Sequence, residues 1–397
     1  MERIWVSISD VLFFQEGPGV RNTQYTTGGV KLLNVANLVD GKVDLTTSDR
    51  YISEEEAYGK YKHFLCDVGD FIIASSGIKV EYIDKKMGFI DETMLPLCMN
   101  TSTIRFKVLD ENQLRIRYFM YYLKSRHFKN QLFKQITGSA QLNYGPSHLK
   151  KMIMPLIPLN KQDEIIACMD KVQSVIEMRQ QELIHLDDLI KARFVEVFGD
   201  PIKNPKGWKV VAIGDIVTEV RYGTSKPAIE KGKYPYLRMN NITSDGHLDL
   251  NDLKYIDIPD DEIEKCVVRK GDILFNRTNS IELVGKTAMY DLLEDMVIAG
   301  YIIRVRLNDR LLPEVFSQYM NLKALKDILR SMAKGAVNQA NINAQELQSI
   351  RVYIPDMELQ KQFVKMKAQV AKSKVAIQKS LEETQLLFDS LMQKYFG

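Results

Sequence analysis

Gly335-Ala336-Val337-Asn338-Gln339-Ala340-Asn341-Ile342-Asn343 holds three asparagines and one glutamine within nine residues. A side-chain amide sets a donor beside an acceptor, the pattern that pairs with an adenine edge, as an arginine fork pairs with guanine. Other segments of the C-terminal half have the same character: Arg221, Thr224, Ser225, Lys226, Arg238, Asn240, Asn276, Arg277 and Thr278. The N-terminal half offers Arg21, Asn22, Gln24, Ser75, Ser76, Lys79, Ser139, Gln141, Asn143 and Tyr144. Lys124, Arg126, Lys129 and Lys134 are of the type that meets phosphate, which positions without specifying. Asn37 and Asn241 read instead as structural turn formers. The plainer alternative throughout is a set of solvated polar loops.

Catalytic chemistry finds no support. The five histidines (His63, His127, His148, His185, His247) are scattered, and the four cysteines (Cys66, Cys98, Cys168, Cys266) contain no CxxC pair. The cysteines therefore read as reduced thiols of a cytoplasmic protein, with no metal site. Gly17-Pro18-Gly19 lacks the strand-then-helix setting of a nucleotide loop, and there is no Walker sequence. The glycine-rich cofactor loop and Asn/Asp-Pro-Pro-aromatic motif of an adenine methyltransferase are absent as well. Asp260-Asp261-Glu262 and the acids from Asp291 to Asp295 have no nuclease spacing. No apolar run approaches the roughly 18 residues of a membrane span, and the N-terminus has no signal-peptide layout. Net charge is only +3, yet no Asp or Glu lies between Asn112 and Gln162, where nine basic residues do. Such a stretch suits a polyanion, or else a solvated helix face with its linker.

The elements that must position these residues occur twice. Trp5 and Trp208 lie 203 residues apart, each opening a similar segment. Val68-Gly69-Asp70-Phe71-Ile72-Ile73 matches Lys270-Gly271-Asp272-Ile273-Leu274-Phe275, and Phe198-Gly199 matches Phe396-Gly397. A repeat of about 200 residues is too long for a solenoid and indicates a duplicated domain. Apolar runs after the Gly-Asp turns predict strands, and Ser53-Glu54-Glu55-Glu56 has capping-box spacing. Phe119, Tyr122, Leu123 and Leu132, like Phe316, Tyr319, Met320 and Leu329, recur at helical spacing.

Each copy then closes with a long helix. Steps of four and three residues from Ile165 reach Met169, Val172, Ile176, Leu183, Leu186, Ile190 and Val197, broken by Arg179 and Arg193. The same steps in the second copy reach Phe363, Val370, Ile377, Leu381, Phe388, Leu391 and Tyr395, broken by Lys367, Lys374 and Thr384. These stripes predict two long helices packed on each other, with charges fixing the register. The bland alternative is a helix packed on its own domain. The expected boundaries are domain 1–158, helix 159–200, domain 201–355 and helix 356–397.

This order resembles the DNA specificity subunit of type I restriction-modification systems, over essentially the whole chain. The marks are Gly214-Asp215-Ile216, Arg221-Tyr222-Gly223-Thr224, Tyr236 to Ile242, Lys270 to Arg277, Gly335 to Gln339, and Glu358-Leu359-Gln360 after Ile354-Pro355. The first copy departs from them: Ala74-Ser75-Ser76 stands where the second has Asn276-Arg277-Thr278. The resemblance implies an α+β chain with two similar target-recognition domains in tandem. These would be separated by two long helices forming an antiparallel coiled coil, a pseudo-twofold internal repeat. It further implies that each domain reads half of an asymmetric bipartite site in double-stranded DNA. The helices would dock two methyltransferase subunits, and restriction/translocase subunits would join them. S-adenosylmethionine, Mg and ATP would belong to those partners, with no cofactor in this chain. The competing reading is a coiled-coil adaptor without DNA sequence preference.

Overall fold

A computed structural model describes residues 3–77, 79–136, 143–336 and 339–397, with 334–336 and 339 described by backbone alone. The chain divides into two compact units, 1–179 with 380–397 and 180–379. This differs from the expected boundaries: each unit takes half of each long helix. The reason is apolar burial, because the ends of both helices pack into the domain cores.

In the first unit a four-stranded antiparallel sheet runs in the order Leu12–Glu16, Thr103–Val108, Phe71–Ala74, Met87–Phe89. The second unit repeats it as Val217–Tyr222, Ile302–Leu307, Ile273–Asn276, Thr287–Met289. A smaller sheet in each unit contains a parallel pair, Val30–Leu33 with Leu97–Met99 and Tyr234–Leu237 with Met296–Ile298. The turn before the third strand explains the Gly-Asp repeat. Gly69 and Gly271 have φ of 85° and 95°, which favours glycine. Asp70 and Asp272 then accept the backbone N–H of Asp67 and Arg269, each at 2.9 Å. Asn37 and Asn241 are turn formers: each is buried and caps a short turn by accepting the N–H of Asn34 or Arg238 at 2.9 Å. Ser53 caps the helix Glu54–Tyr58.

The predicted helical stretches form the helices Ile116–Lys124 and Arg126–Gln135, and Pro313–Met320 and Lys323–Met332. Phe119 lies at the centre of the first core, its ring centroid 5.0 Å from Phe106 and 6.2 Å from Phe128. Such buried aromatic groups remove about 150–250 Å² each from water.

The long helices span Leu159–Phe198 and Met357–Phe396. Within the second unit they run antiparallel: Asp187 meets Lys374 at 2.7 Å, and Phe198 meets Phe363 with ring centroids at 5.4 Å. Ile165, Met169, Ile176, Ile190, Phe363, Val370 and Phe388 are buried, while Val172, Leu183, Leu186, Val197, Ile377, Leu381 and Leu391 are part-buried. Toward the C-terminal end of each helix the expected stripe needs correction. Phe194, Phe198, Met392 and Phe396 are the buried residues there, one position beyond Arg193, Val197, Leu391 and Tyr395. A straight helix of 3.6 residues per turn drifts from a 3.5 repeat by about 20° per heptad. These ends also face a domain: Phe396 packs on Tyr118 at 5.2 Å, and Phe194 on Tyr319 at 6.3 Å.

A fully buried glutamine joins each helix start to its unit. Gln162 accepts the N–H of Arg115 at 2.8 Å and donates to the carbonyls of Gln113 and Ile157. Gln360 accepts the N–H of Leu312 at 2.9 Å and donates to Arg310 and Pro355. Gln360→Ala strips three backbone groups of that partner. Unfolding in urea is expected to show a loss of about 2–3 kcal/mol, against less than about 0.5 for the exposed Gln345→Ala.

Candidate nucleic-acid interface

In the second unit four distant stretches of chain meet at the ends of the main sheet. Thr224 N donates to Ile298 O at 2.9 Å, Arg277 N to Tyr301 O at 2.9 Å, and Ile342 N to Arg277 O at 2.9 Å. Thr278 and Asn279 pair with Asn341 and Ala340, which pair in turn with the backbone of Lys334 and Gly335. Arg221, Thr224, Ser225, Arg277, Thr278 and Asn341 are therefore brought together. Two aromatic residues that were not selected from the sequence join them. Tyr222 is 44% exposed and carries the Arg277 guanidinium 4.9 Å above its ring, and Tyr301 is 52% exposed. Tyr222 sits inside the Arg-Tyr-Gly-Thr motif, so its place was legible; Tyr301 gave no signal in the pattern.

The first unit builds the same junction. Ser75 N donates to Ser102 O at 2.8 Å, Tyr144 N to Ser75 O at 3.0 Å, and Ser76 bridges Asn143. Its side chains differ. Ser75 donates to the Glu16 carboxylate at 3.2 Å, and the buried Tyr144 hydroxyl donates to Ala74 O at 3.0 Å.

Several sequence candidates prove to be internal braces. Asn276 is fully buried, with its amide donating to Thr278 O and Tyr301 O. Ser75 and Tyr144 are buried too, and the Thr278 hydroxyl is turned onto Asn341 Oδ1 at 2.9 Å. A backbone turning sharply at a strand end leaves polar groups inside, and these side chains satisfy them. Gln24 is held by Glu56 and Tyr61, Lys226 by Glu262, and Arg238 by Asp252. Arg21, Asn22, Lys79, Asn143, Ser225 and Asn240 are exposed, and Arg221 is exposed beside Glu219 at 3.0 Å. Ser139, Gln141 and Asn338 lie outside the described residues, as does the side chain of Gln339.

The basic stretch is less free than its composition suggests. Arg115, Arg117, Lys129 and Lys161 pair with Asp163, Asp170, Asp84 and Glu164. Burial lowers the pKa of Lys124, which lies 5.3 Å over the Tyr121 ring. Of the residues expected to meet phosphate, Arg126 and Lys134 are exposed, as are Lys150 and Lys151 in the same stretch. Behind each junction a buried cation ties the sheet together. Arg105 reaches Asp70 at 3.1 Å and Gln15 at 2.6 Å. Arg304, with no exposed surface, reaches Glu219 at 2.7 Å and also bonds Val267 O. Among the described residues no cluster of His, Cys, Asp and Glu could hold a metal ion, and no helix is long and apolar enough to cross a membrane. The cysteines are free.

A family model described as the type I restriction modification DNA specificity domain matches residues 8–187 and again 205–385. The chain belongs to this family. Its two specificity domains follow one another in tandem, as the repeated sheets require. The protein named as the MjaX type I restriction enzyme specificity subunit of Methanocaldococcus jannaschii is 32% identical over 197 residues, 48% of this chain and 46% of that protein. The EcoKI specificity subunit of Escherichia coli K12 is 23% identical over 292 residues, covering 70% and 63%. The chain thus spans about half to somewhat under two thirds of these relatives' length. Two solved structures share the fold of the specificity family. The type I restriction-modification S subunit from M. genitalium has a TM-score of 0.54 at 17% identity, covering 100% of this chain and 96% of that one. A chain from a study of the assembly and conformational transition of the type I system has 0.58 at 18%, covering 99% and 97%.

One internal cation distinguishes the second specificity domain. Lys326 occupies the helical position of Lys129 but donates to Gly285 O at 2.7 Å, with no carboxylate partner among the described residues. Burial, with Arg330 and Lys286 nearby, pulls its pKa from 10.5 down to about 8. Between those values the unfolded chain binds more protons than the folded one, so stability rises with pH. Below pH 8 both states are charged and the effect is constant. Above about pH 9 the buried thiols of Cys66, Cys98 and Cys266, and above about pH 10 the buried tyrosines, act in the opposite sense because burial raises their pKa values. Measured against Lys326→Met, the wild type is expected to gain thermal stability from pH 8 to 10. An unchanged slope in the variant would assign the effect elsewhere.

Proposed function

We propose that this chain is the DNA-recognition subunit of a type I restriction-modification complex. Each unit reads one half of an asymmetric, split target in double-stranded DNA, using the loops gathered at the end of its main sheet. The observation that carries this reading is one backbone junction built twice with different side chains. An invariant frame with variable tips is what two unlike half-sites require, since base-edge contacts specify while backbone contacts position. A family match over both copies supports it.

The chain itself performs no catalysis in this reading. Two methyltransferase subunits dock along the long helices, and restriction/translocase subunits join through them, in the cytoplasm where the DNA is. Those partners supply S-adenosylmethionine, Mg and ATP. Methyl transfer requires the target base to leave the stack, and the contribution of this chain is to select and hold the duplex where that happens. Exposed apolar residues on the helices, among them Met178, Ile184 and Val375, suit a protein partner.

Methyladenine mapped across the genome tests the proposal. The comparison is between cells with the native operon and cells lacking only this chain. One split motif is expected to lose methylation on both strands. Unchanged methylation would sink the recognition role and favour an adaptor without sequence preference. An adaptor would also bind specific and scrambled duplexes alike at every salt concentration.

A further inference from the structure

The two junctions correspond residue for residue in their backbone pairing. Glu16 pairs with Ile104 as Tyr222 pairs with Ile303, one place before Gly17 and Gly223. Those glycines donate to Thr103 O at 2.9 Å and Ile302 O at 3.1 Å. Ser75 and Arg277 each donate their N–H across to Ser102 or Tyr301 and accept from Tyr144 or Ile342. Glu16 therefore stands where Tyr222 does, and Ser75 where Arg277 does. The same two places carry opposite chemistry.

In the second unit the guanidinium lies 4.9 Å over the Tyr222 ring. Its only acceptor among the described residues is Gly300 O at 3.5 Å, and its Nε has none. Stacking fixes the plane of the fork and leaves Nη2 with no acceptor among the described residues and Nη1 with only that long bond. A planar pair of donors matches the O6 and N7 acceptors of guanine. In the first unit the buried Ser75 hydroxyl donates to Glu16 at 3.2 Å, and no Lys or Arg among the described residues pairs with that carboxylate. An unpaired carboxylate on a face meant for DNA repels phosphate. It is favourable there only against a base-edge donor. Cytosine offers its N4 amine alone, whereas adenine sets its amine beside the N7 acceptor, which a carboxylate avoids.

We infer that Arg277, held by Tyr222, reads a guanine in the half-site of the second unit, and that Glu16, held by Ser75, reads a cytosine in that of the first. The inference rests on the DNA-recognition reading above. Glu16 is then a specificity residue, and Ser75 and Tyr222 are positioning residues.

The test is methyladenine mapping in cells carrying the full complex with wild-type chain, Arg277→Ala, Arg277→Lys, Glu16→Ala or Glu16→Gln. Both Arg277 variants are expected to relax one guanine of one half-site by about 10- to 100-fold. Lysine keeps the charge but not the fork, so it should not rescue. Glu16→Ala is expected to relax one cytosine of the other half-site by a similar factor. Glu16→Gln should admit adenine at that position, because an amide pairs with N6 and N7. In every variant the untouched half-site stays strict, which shows that the protein folds. Variants that melt like the wild type yet keep full discrimination overturn the inference, as does relaxation at any other base. Absence of a split motif in the wild type would instead remove the functional reading beneath it.

Discussion

A buried side-chain amide at the start of each long helix is the interaction on which the rest of the molecule depends. Gln162 and Gln360 each close three hydrogen bonds to backbone groups of their own unit, and neither has exposed surface. An apolar side chain would fill the same space but would leave those backbone groups unpaired, at a cost of about 1 kcal/mol each. It would also accept several rotations of the helix. An amide with both ends satisfied accepts one. The orientation of a 40-residue helix on its domain is thereby set at one turn, and the apolar stripe beyond it has only to keep the register.

Once the joint is fixed, the units are free to differ at their tips. The frame repeats closely: Gly-Asp turns with positive φ, asparagine caps and a buried arginine across the main sheet. Even this frame shows compensation. Arg105 takes its carboxylate from Asp70, in the turn that opens one neighbouring strand, whereas Arg304 takes it from Glu219, on the strand at its other side. Position of charge is preserved while its partner moves. At the junction the divergence is complete, with an aromatic ring and a guanidinium in one unit and a carboxylate and a hydroxyl in the other. Backbone hydrogen bonds made by every residue type hold both versions, so side chains change there without cost to the frame.

The duplication, the helix positions and the main-sheet strands were legible in the sequence because each rests on a local pattern. Glycine turns, capping spacing and apolar periodicity are fixed by neighbours within a few residues. The candidate interface was legible only as loops. Asn276, Ser75 and Tyr144 have the composition of base readers, but all three are buried: Asn276 and Tyr144 satisfy buried carbonyls, and Ser75 donates to the Glu16 carboxylate. Glu16 and Tyr301 went unselected because an acid at a strand end and a lone tyrosine carry no pattern. Their meaning appears only when strands distant in sequence align. The helix stripe failed at its ends for a related reason. Phe194 and Phe396 answer to Tyr319 and Tyr118 on a domain, contacts that no heptad describes.

Placing the division between units halfway along the helices, and not at their ends, has a consequence for how such a chain changes. Each core contains the start of one helix and the end of the other, so every unit is closed by residues from both copies: Tyr118, Ile165 and Phe396 in one, Phe194, Phe316 and Phe363 in the other. Neither copy completes a core from its own sequence alone. A substitution at a loop tip stays local, but one in a helix end is felt where the opposite copy contributes. In the DNA-recognition reading, selection can therefore act on the tips independently, while the helix ends are expected to co-vary. The two halves of the chain are expected to diverge fastest where Glu16 faces Ser75 and Tyr222 faces Arg277, and slowest where the aromatic helix ends meet the cores.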